Sequence, residues 1–208
     1  MKGKFIVIEG PDGCGKSTIA KNVYELLKKE GEMVILTREP GGTGIGESVR
    51  SILLDINEPM SPRTEALLMA ASRAQIVDEV IKPSLEKGTH VICDRYVYSS
   101  LVYQGIGRKL GINTIMEINQ FAMDSVMPDL TLYLELSFEE ALIRRGIRDV
   151  SDRMEAQSDE FHTSIHNGYD EIYQMYKESH NIVRIDASRT EREVTEEAYQ
   201  IAKKILEV

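Results

Sequence analysis

The chain contains no tryptophan, only four phenylalanines and two cysteines, and fewer positive than negative charges. Among its 208 residues, 25 Lys and Arg stand against 34 Asp and Glu, a formal net charge of −9. A polyphosphate backbone is held by surplus Lys and Arg, so this balance argues against a nucleic-acid partner. Aromatic residues make up 6% of the chain, too few for a broad base-stacking surface. A basic pocket inside an acidic protein remains compatible with a small anion. Cys14 and Cys93 lie far apart and match no metal-ligand spacing, so a reducing, cytoplasmic setting is expected. No hydrophobic run approaches the length of a membrane span, so no membrane partner is expected. The apolar run Phe5 to Ile8 is too short for the core of a secretory signal, and a Gly-rich turn follows it in place of a cleavage pattern.

What is present fits a soluble globular protein: 42% hydrophobic and 28% charged residues. The length suits a single domain over residues 1–208, with room for a small lid. There is no internal repeat, low-complexity tract or long linker. Strand-like runs at 4–9, 33–37, 90–94, 130–136 and 181–186 alternate with helical patterns, the signature of a parallel sheet with crossover helices. Three of these runs are almost continuously apolar, as strands buried on both faces should be. A helix from Ser17 to Glu30 carries Ile19, Val23, Leu26 and Leu27 on one face and stops at Gly31. Another from Ser61 to Lys87 opens on Ser61-Pro62 and must be kinked or interrupted by Pro83. Further helical patterns cover about 44–55, 111–124, 138–147, 158–179 and 190–207. The expected fold is a three-layer α/β/α sandwich with a five-stranded parallel sheet.

GPDGCGKS, Gly10 to Ser17, matches G-x-x-x-x-G-K-[ST] in full, between an apolar strand and an amphipathic helix. Glycines at Gly10, Gly13 and Gly15 let backbone N–H groups turn inward around phosphate oxygens, and the helix N-terminus adds a favourable dipole. Lys16 is placed to reach the outer phosphates, and the Ser17 hydroxyl to ligate Mg²⁺. Asp94 ends the buried run 90–94, where α/β proteins bind ligands, and is the second candidate on the metal side. Cys14 is expected to fill a tight loop and Cys93 to lie in the core. A phosphate loop alone establishes only the use of a nucleoside triphosphate.

Five segments together resemble thymidylate kinases: IEGPDGCGKST (8–18), TREPGGTGIGESVR (37–50), TEALLMAASRAQ (64–75), CDRYVYSSLVYQGIGR (93–108) and PDLTLYLEL (128–136). DRMEAQSDEFH (152–162) resembles the start of that family's lid-to-helix segment, so the likeness spans nearly the whole chain in register. It implies a P-loop nucleoside triphosphatase fold and transfer of a phosphoryl group from ATP to dTMP with Mg²⁺. It implies ATP binding by Gly10, Pro11, Asp12, Gly13, Cys14, Gly15, Lys16, Ser17 and Thr18, with Mg²⁺ at Ser17 and Asp94. It places Arg50 and Arg95 on the acceptor phosphate, Arg73 on a thymine carbonyl and Gln104 at the pairing edge of the base. Ser99 and Tyr103 would line the sugar and base pocket, with Glu39 and Asp12 near the transferring phosphoryl, the sugar hydroxyl or the metal shell. The residues themselves agree: Arg38, Arg50, Arg73 and Arg95 are arginines in apolar or Gly-rich surroundings, and a planar guanidinium suits a phosphate better than an ammonium does. One departure is Met69, where the family commonly stacks an aromatic ring on thymine. It shares a helical face with Arg73, but it leaves room for a second acceptor such as dUMP, UMP, CMP or dGMP.

Phosphoryl transfer requires positioning and positive charge on the transition state. The variable residues of the phosphate loop, Pro11 to Cys14, include no base, whereas Arg144, Arg145, Arg148 and Arg153 cluster near a lid at about 144–156. The chain therefore resembles the subclass with lid arginines. Arg148 is expected to be the principal transition-state arginine, assisted by Arg153, with Arg144 against the adenine ring. A regulatory P-loop binder is the reading from another class. A GTPase-like switch would carry a guanine-reading N-K-x-D motif, which the sequence lacks. The resemblance also implies a homodimer packed through helices.

Overall fold

The structure, a computed structural model, describes residues 2–57, 59–146 and 152–207. Strand β1 (Phe5–Glu9) is buried throughout, and its side chains alternate between two cores: Phe5 and Val7 face one, Ile6 and Ile8 the other. Strands β2 (Val34–Arg38), β3 (His90–Asp94), β4 (Leu130–Glu135) and β5 (Ile182–Asp186) complete a wholly parallel sheet in the order β2-β3-β1-β4-β5. The near-continuously apolar strands are the three central ones, and the edge strands β2 and β5 are only partly buried. On one face Ile6, Ile8, Ile92 and Leu132 pack against α1 (Lys16–Lys29) and α9 (Glu191–Leu206). On the other, Val7, Val91, Cys93 and Tyr133 pack with α3 (Pro62–Ile76), α6 (Ile112–Met123) and α8 (Asp159–Tyr176). Helices α2 (Gly44–Leu54) and α7 (Phe138–Gly146) flank this body. No helix among the described residues is long and apolar enough to cross a membrane.

Local chemistry sets the helix ends close to their expected places. Ser61 accepts from Thr64 N at 3.2 Å as the N-cap of α3, with Pro62 in the first turn. Glu30 caps α1, and Gly31 at φ 94 follows one position beyond, while Glu32 N reaches back to Leu27 O at 3.2 Å. Pro83 interrupts the long pattern as expected. Its missing N–H and its ring are incompatible with a regular turn, and the chain widens into a π-helical turn, Val77–Ile81, before α4 (Lys82–Glu86).

One helical stretch has no counterpart in the sequence reading. Helix α5 (Val97–Ser100) runs into a π-helical segment, Leu101–Gly107. Val97 to Gly105 are all buried, so no polar stripe alternates with an apolar one and the helical period is silent.

Ile92 is fully buried in the central part of the sheet. Ile92→Ala should destabilise the fold by about 2–5 kcal/mol, seen as a lower urea midpoint with an unchanged slope.

Candidate active site

The sheet register assembles the site. Pairing of Ile8 with Asp94 and of Arg38 with Asp94 brings the C-terminal ends of β1, β3 and β2 side by side. Two backbone bonds extend the contact past the strands, Arg95 N to Ile8 O at 3.0 Å and Glu39 N to Asp94 O at 3.0 Å. A cavity of about 540 Å³ opens at this edge, lined by Lys16, Ser17, Asp94 and Arg95 together with Arg50, Met69, Tyr103 and Gln104. Asp12, Gly13, Thr18, Glu39 and Ser99 also line it.

The phosphate loop is shaped for an anion. A Cβ on Gly10 would fall 2.6 Å from Leu134 O and 2.8 Å from Cys14 Sγ, so only glycine fits. Gly15, at φ 93, is the N-cap of α1 and offers no side chain to its first N–H groups. Thr43, Ser61, Ser158 and Thr190 do cap α2, α3, α8 and α9. The bare N-terminus of α1 is thus left for an external acceptor. Lys16, nearly buried, meanwhile folds back to donate to Pro11 O at 2.7 Å. Cys14 fills the loop, and burial pushes its thiol up against the pull of Lys16. Cys93 is wholly buried in the core.

Ser17 Oγ donates to Asp94 Oδ2 at 2.5 Å, while Asp94 Oδ1 is buried without a partner. A hydroxyl and an under-used carboxylate beside a phosphate loop fit a hard, oxygen-seeking divalent cation such as Mg²⁺.

Arg95 occupies the centre. Its backbone lies at φ 72, a left-handed conformation costing of order 1–3 kcal/mol outside glycine. The guanidinium donates to Tyr169 Oη at 2.8 Å, Ser99 Oγ at 3.0 Å and Gly10 O at 3.3 Å, and forms an ion pair with Asp12. Tyr103 Oη donates to Asp12 Oδ2 at 2.6 Å. Burial alone would raise the Asp12 carboxyl, but Arg95, Lys16 and Tyr103 together hold it well below the usual carboxylate range. Beneath them Glu9 accepts from Ser99 Oγ at 2.6 Å and from the backbone N–H groups of Tyr96 at 2.9 Å and Ser99 at 3.1 Å. Burial pushes the Glu9 carboxyl up, against Ser99 and Arg95.

Behind the cavity wall lies a second arginine. Arg73 is completely buried, paired with Glu39 at 2.5 Å, bonded to Ser100 Oγ at 3.0 Å and to Asn119, and set over the Tyr96 ring. Its Nη2 is buried without a hydrogen-bond acceptor, and its partner Glu39 lines the cavity. Sharing a helical face with Met69 did not put it on the cavity wall, because α3 turns that part of the face into the core. Burial raises the Glu39 carboxyl to about 7, outweighing Arg73. Arg50 is half-buried, with Nη1 on Pro40 O at 3.0 Å.

The thymidylate kinase family matches residues 8–198 of the chain. A thymidylate kinase of a Thermoanaerobacter species is 45% identical over 206 residues, covering 99% of this chain and 100% of the relative. That of Finegoldia magna is 45% identical over 201 residues, covering 96% and 98%. That of Bacillus velezensis is 41% identical over 209 residues, covering 99% and 98%. The chain belongs to the thymidylate kinase family.

Of the lid arginines expected for this family member, Arg148 falls within 147–151, outside the described residues. Arg144 donates to Ala187 O at 3.0 Å, beside the segment just after β5. Arg153 lies on the cavity wall, tied to Glu65 at 2.8 Å and to Leu53 O at 2.9 Å. Asp152 stands in a turn, where its Oδ1 accepts from Met154 N at 2.8 Å and Glu155 N at 3.0 Å. Glu9, Glu65, Arg108 and Tyr169 belong to the site's framework without having been singled out from the sequence. For Glu9 a signal existed: a carboxylate ending a buried strand directly before the phosphate loop.

Asp12 titrates lower in the folded protein than the usual value near pH 4. The folded state therefore binds fewer protons in acid, and this stabilisation is present above about pH 4 and lost as the pH falls further. The melting-temperature gap between wild type and Asp12→Asn should accordingly shrink as the pH is lowered from 6 to 3.

Proposed function

We propose that the chain transfers the terminal phosphoryl group of ATP to dTMP, forming dTDP and ADP. The observation that carries this is a single cavity joining an uncapped helix N-terminus with Lys16, Ser17 and Asp94 to a second set of cations, Arg50 and Arg95, beside Met69 and Gln104. In this reading the amides from Gly10 to Thr18 hold the ATP phosphates. Lys16 leaves Pro11 O to reach the outer ones. An oxygen of the dTMP phosphate bonds to the γ-phosphorus as the bond to the β–γ bridging oxygen breaks. Ser17 and Asp94 would hold Mg²⁺, which neutralises charge on the transferring group.

Arg50 and Arg95 grip the acceptor phosphate, and Arg95 sets its distance from the loop through Asp12. Ser99 and Tyr103 face the sugar, Met69 lies on the base, and Gln104 meets the pairing edge. Arg73 holds Glu39 in place, and its Nη2 is the donor for a thymine carbonyl. Arg144 flanks the adenine from the side of Ala187. In a lid at about 144–156, Arg148 supplies the main transition-state charge. Arg153 can assist only by exchanging its bond to Glu65, so lid closure includes that exchange.

Two buried, unpaired cysteines suit a reducing compartment such as the cytoplasm. The exposed side chains of Ile45, Ile52 and Leu67 on α2 and α3 support a homodimer formed through these helices.

An ATP-consumption assay with Mg²⁺ should give strong turnover with dTMP and weak turnover with dUMP, UMP, CMP, dGMP and GMP. Comparable turnover with a second base would trace to Met69 and widen the substrate class. No turnover with any monophosphate would overturn the kinase reading. Arg148→Ala should lower kcat by about 10³–10⁵ with little change in melting temperature, measured with saturating dTMP.

A further inference from the structure

Glu65 stands in the first turn of α3, 1% exposed, where a bare carboxylate would be strongly disfavoured. It is met from three directions. Gln104 Nε2 donates to its Oε1 at 2.9 Å, Arg153 Nη1 to its Oε2 at 2.8 Å, and Arg108 pairs with Oε2 at 3.0 Å. Arg108 in turn donates to Gln157 Oε1 at 2.6 Å and lies over the Phe161 ring at 4.5 Å. Burial pushes the Glu65 carboxyl up, but Arg108, Gln104 and Arg153 hold it below the usual carboxylate range. Glu65 is therefore ionised, and an ionised carboxylate can only accept hydrogen bonds.

That restriction fixes its neighbour. A glutamine amide has a donating and an accepting end of nearly equal size, and its neighbours decide which way it faces. Facing a carboxylate, Gln104 must present Nε2. Its Oε1 is then a buried acceptor with no partner, on a residue that lines the cavity. A buried acceptor left unmatched is costly, so the site favours a ligand that donates to it.

We propose that Glu65 is a positioning residue for base selection: it locks the Gln104 amide with Oε1 free, so that the site takes a base bearing N–H at the centre of its pairing edge and refuses one bearing a lone pair there. Thymine and uracil carry that N–H. Cytosine sets a lone pair against Oε1, and the amide cannot turn over to accommodate it without placing Oε1 against Glu65. The inference rests on the monophosphate-kinase reading for its substrate class and adds what enforces the choice.

Replacing the carboxylate by an amide removes the lock, because a second glutamine can donate as well as accept. In Glu65→Gln the ratio of kcat/KM for dTMP over dCMP should fall by about tenfold or more. Glu65→Asp keeps an acceptor-only group and should keep the wild-type ratio even where both rates fall together. An unchanged ratio in Glu65→Gln, or an equal fall in both variants, would overturn the proposal and leave Glu65 a packing residue.

A measurement on the wild-type protein decides the same point without variants. With ¹⁵N-labelled glutamine, the side-chain N–H signals of Gln104 should exchange slowly with solvent, and should continue to do so when dTMP is added. Fast exchange in the free protein, or loss of protection on adding dTMP, would overturn the lock. Should wild type fail to turn over dTMP, the kinase reading falls, while the exchange measurement on the free protein still reports whether Glu65 fixes the amide.

Discussion

Lys16, Arg50, Arg73, Arg95 and Arg153 each have an internal acceptor bonded to them before any ligand arrives, and the remainder of the site is arranged around those bonds. The acceptors are Pro11 O, Pro40 O, Glu39, Asp12 and Glu65. A cavity meant for several phosphates has to concentrate positive charge, and unpaired charge in a partly buried site is unstable. Internal acceptors resolve the conflict in two ways. Carbonyls such as Pro11 O carry no full charge and hold a cation less firmly than a carboxylate does. A fully buried carboxylate such as Glu39 holds its arginine as a fixed part of the structure behind the wall.

The same division separates mobile from fixed chemistry. The phosphate-loop lysine and the bare N-terminus of α1 are poised to change partners. The layer behind them, in which Glu9 takes bonds from Ser99, Tyr169 and the Tyr96 and Ser99 N–H groups, is buried and supports Arg95 from below. The sheet supplies the rigid base for both, because the register of β1 with β3 sets the separation between the phosphate loop and Asp94. Positions on ordered strand ends are held more accurately than positions on free loops, as phosphoryl transfer demands.

Much of this was legible in the chain itself. Apolar runs at 4–9, 90–94 and 130–136 foretold the central strands, because burial on both faces leaves a nearly unbroken apolar signature. Gly10 to Ser17 announced the phosphate loop through its spacing and its place between an apolar strand and an amphipathic helix. The helix at Val97 to Gly107 was hidden, since a helix buried on all sides has no period to detect. The complete burial of Arg73 was not legible, since sequence gives the face of a helix but not how that face tilts against the core. Glu65 and Arg108 were invisible for a related reason: their meaning lies in a meeting of segments about forty residues apart, which neither segment records.

Arg95 ties these themes to its own backbone. At φ 72 it holds a conformation that glycine would adopt without strain. On conformational grounds alone, the most comfortable residue at the end of β3 would be one with no side chain. The chain instead carries there a guanidinium that ties Asp12 and Gly10 O of the phosphate loop to Ser99 and Tyr169. A sturdier backbone and a guanidinium at this point therefore make opposite demands on one position, and the strained φ is what the guanidinium costs.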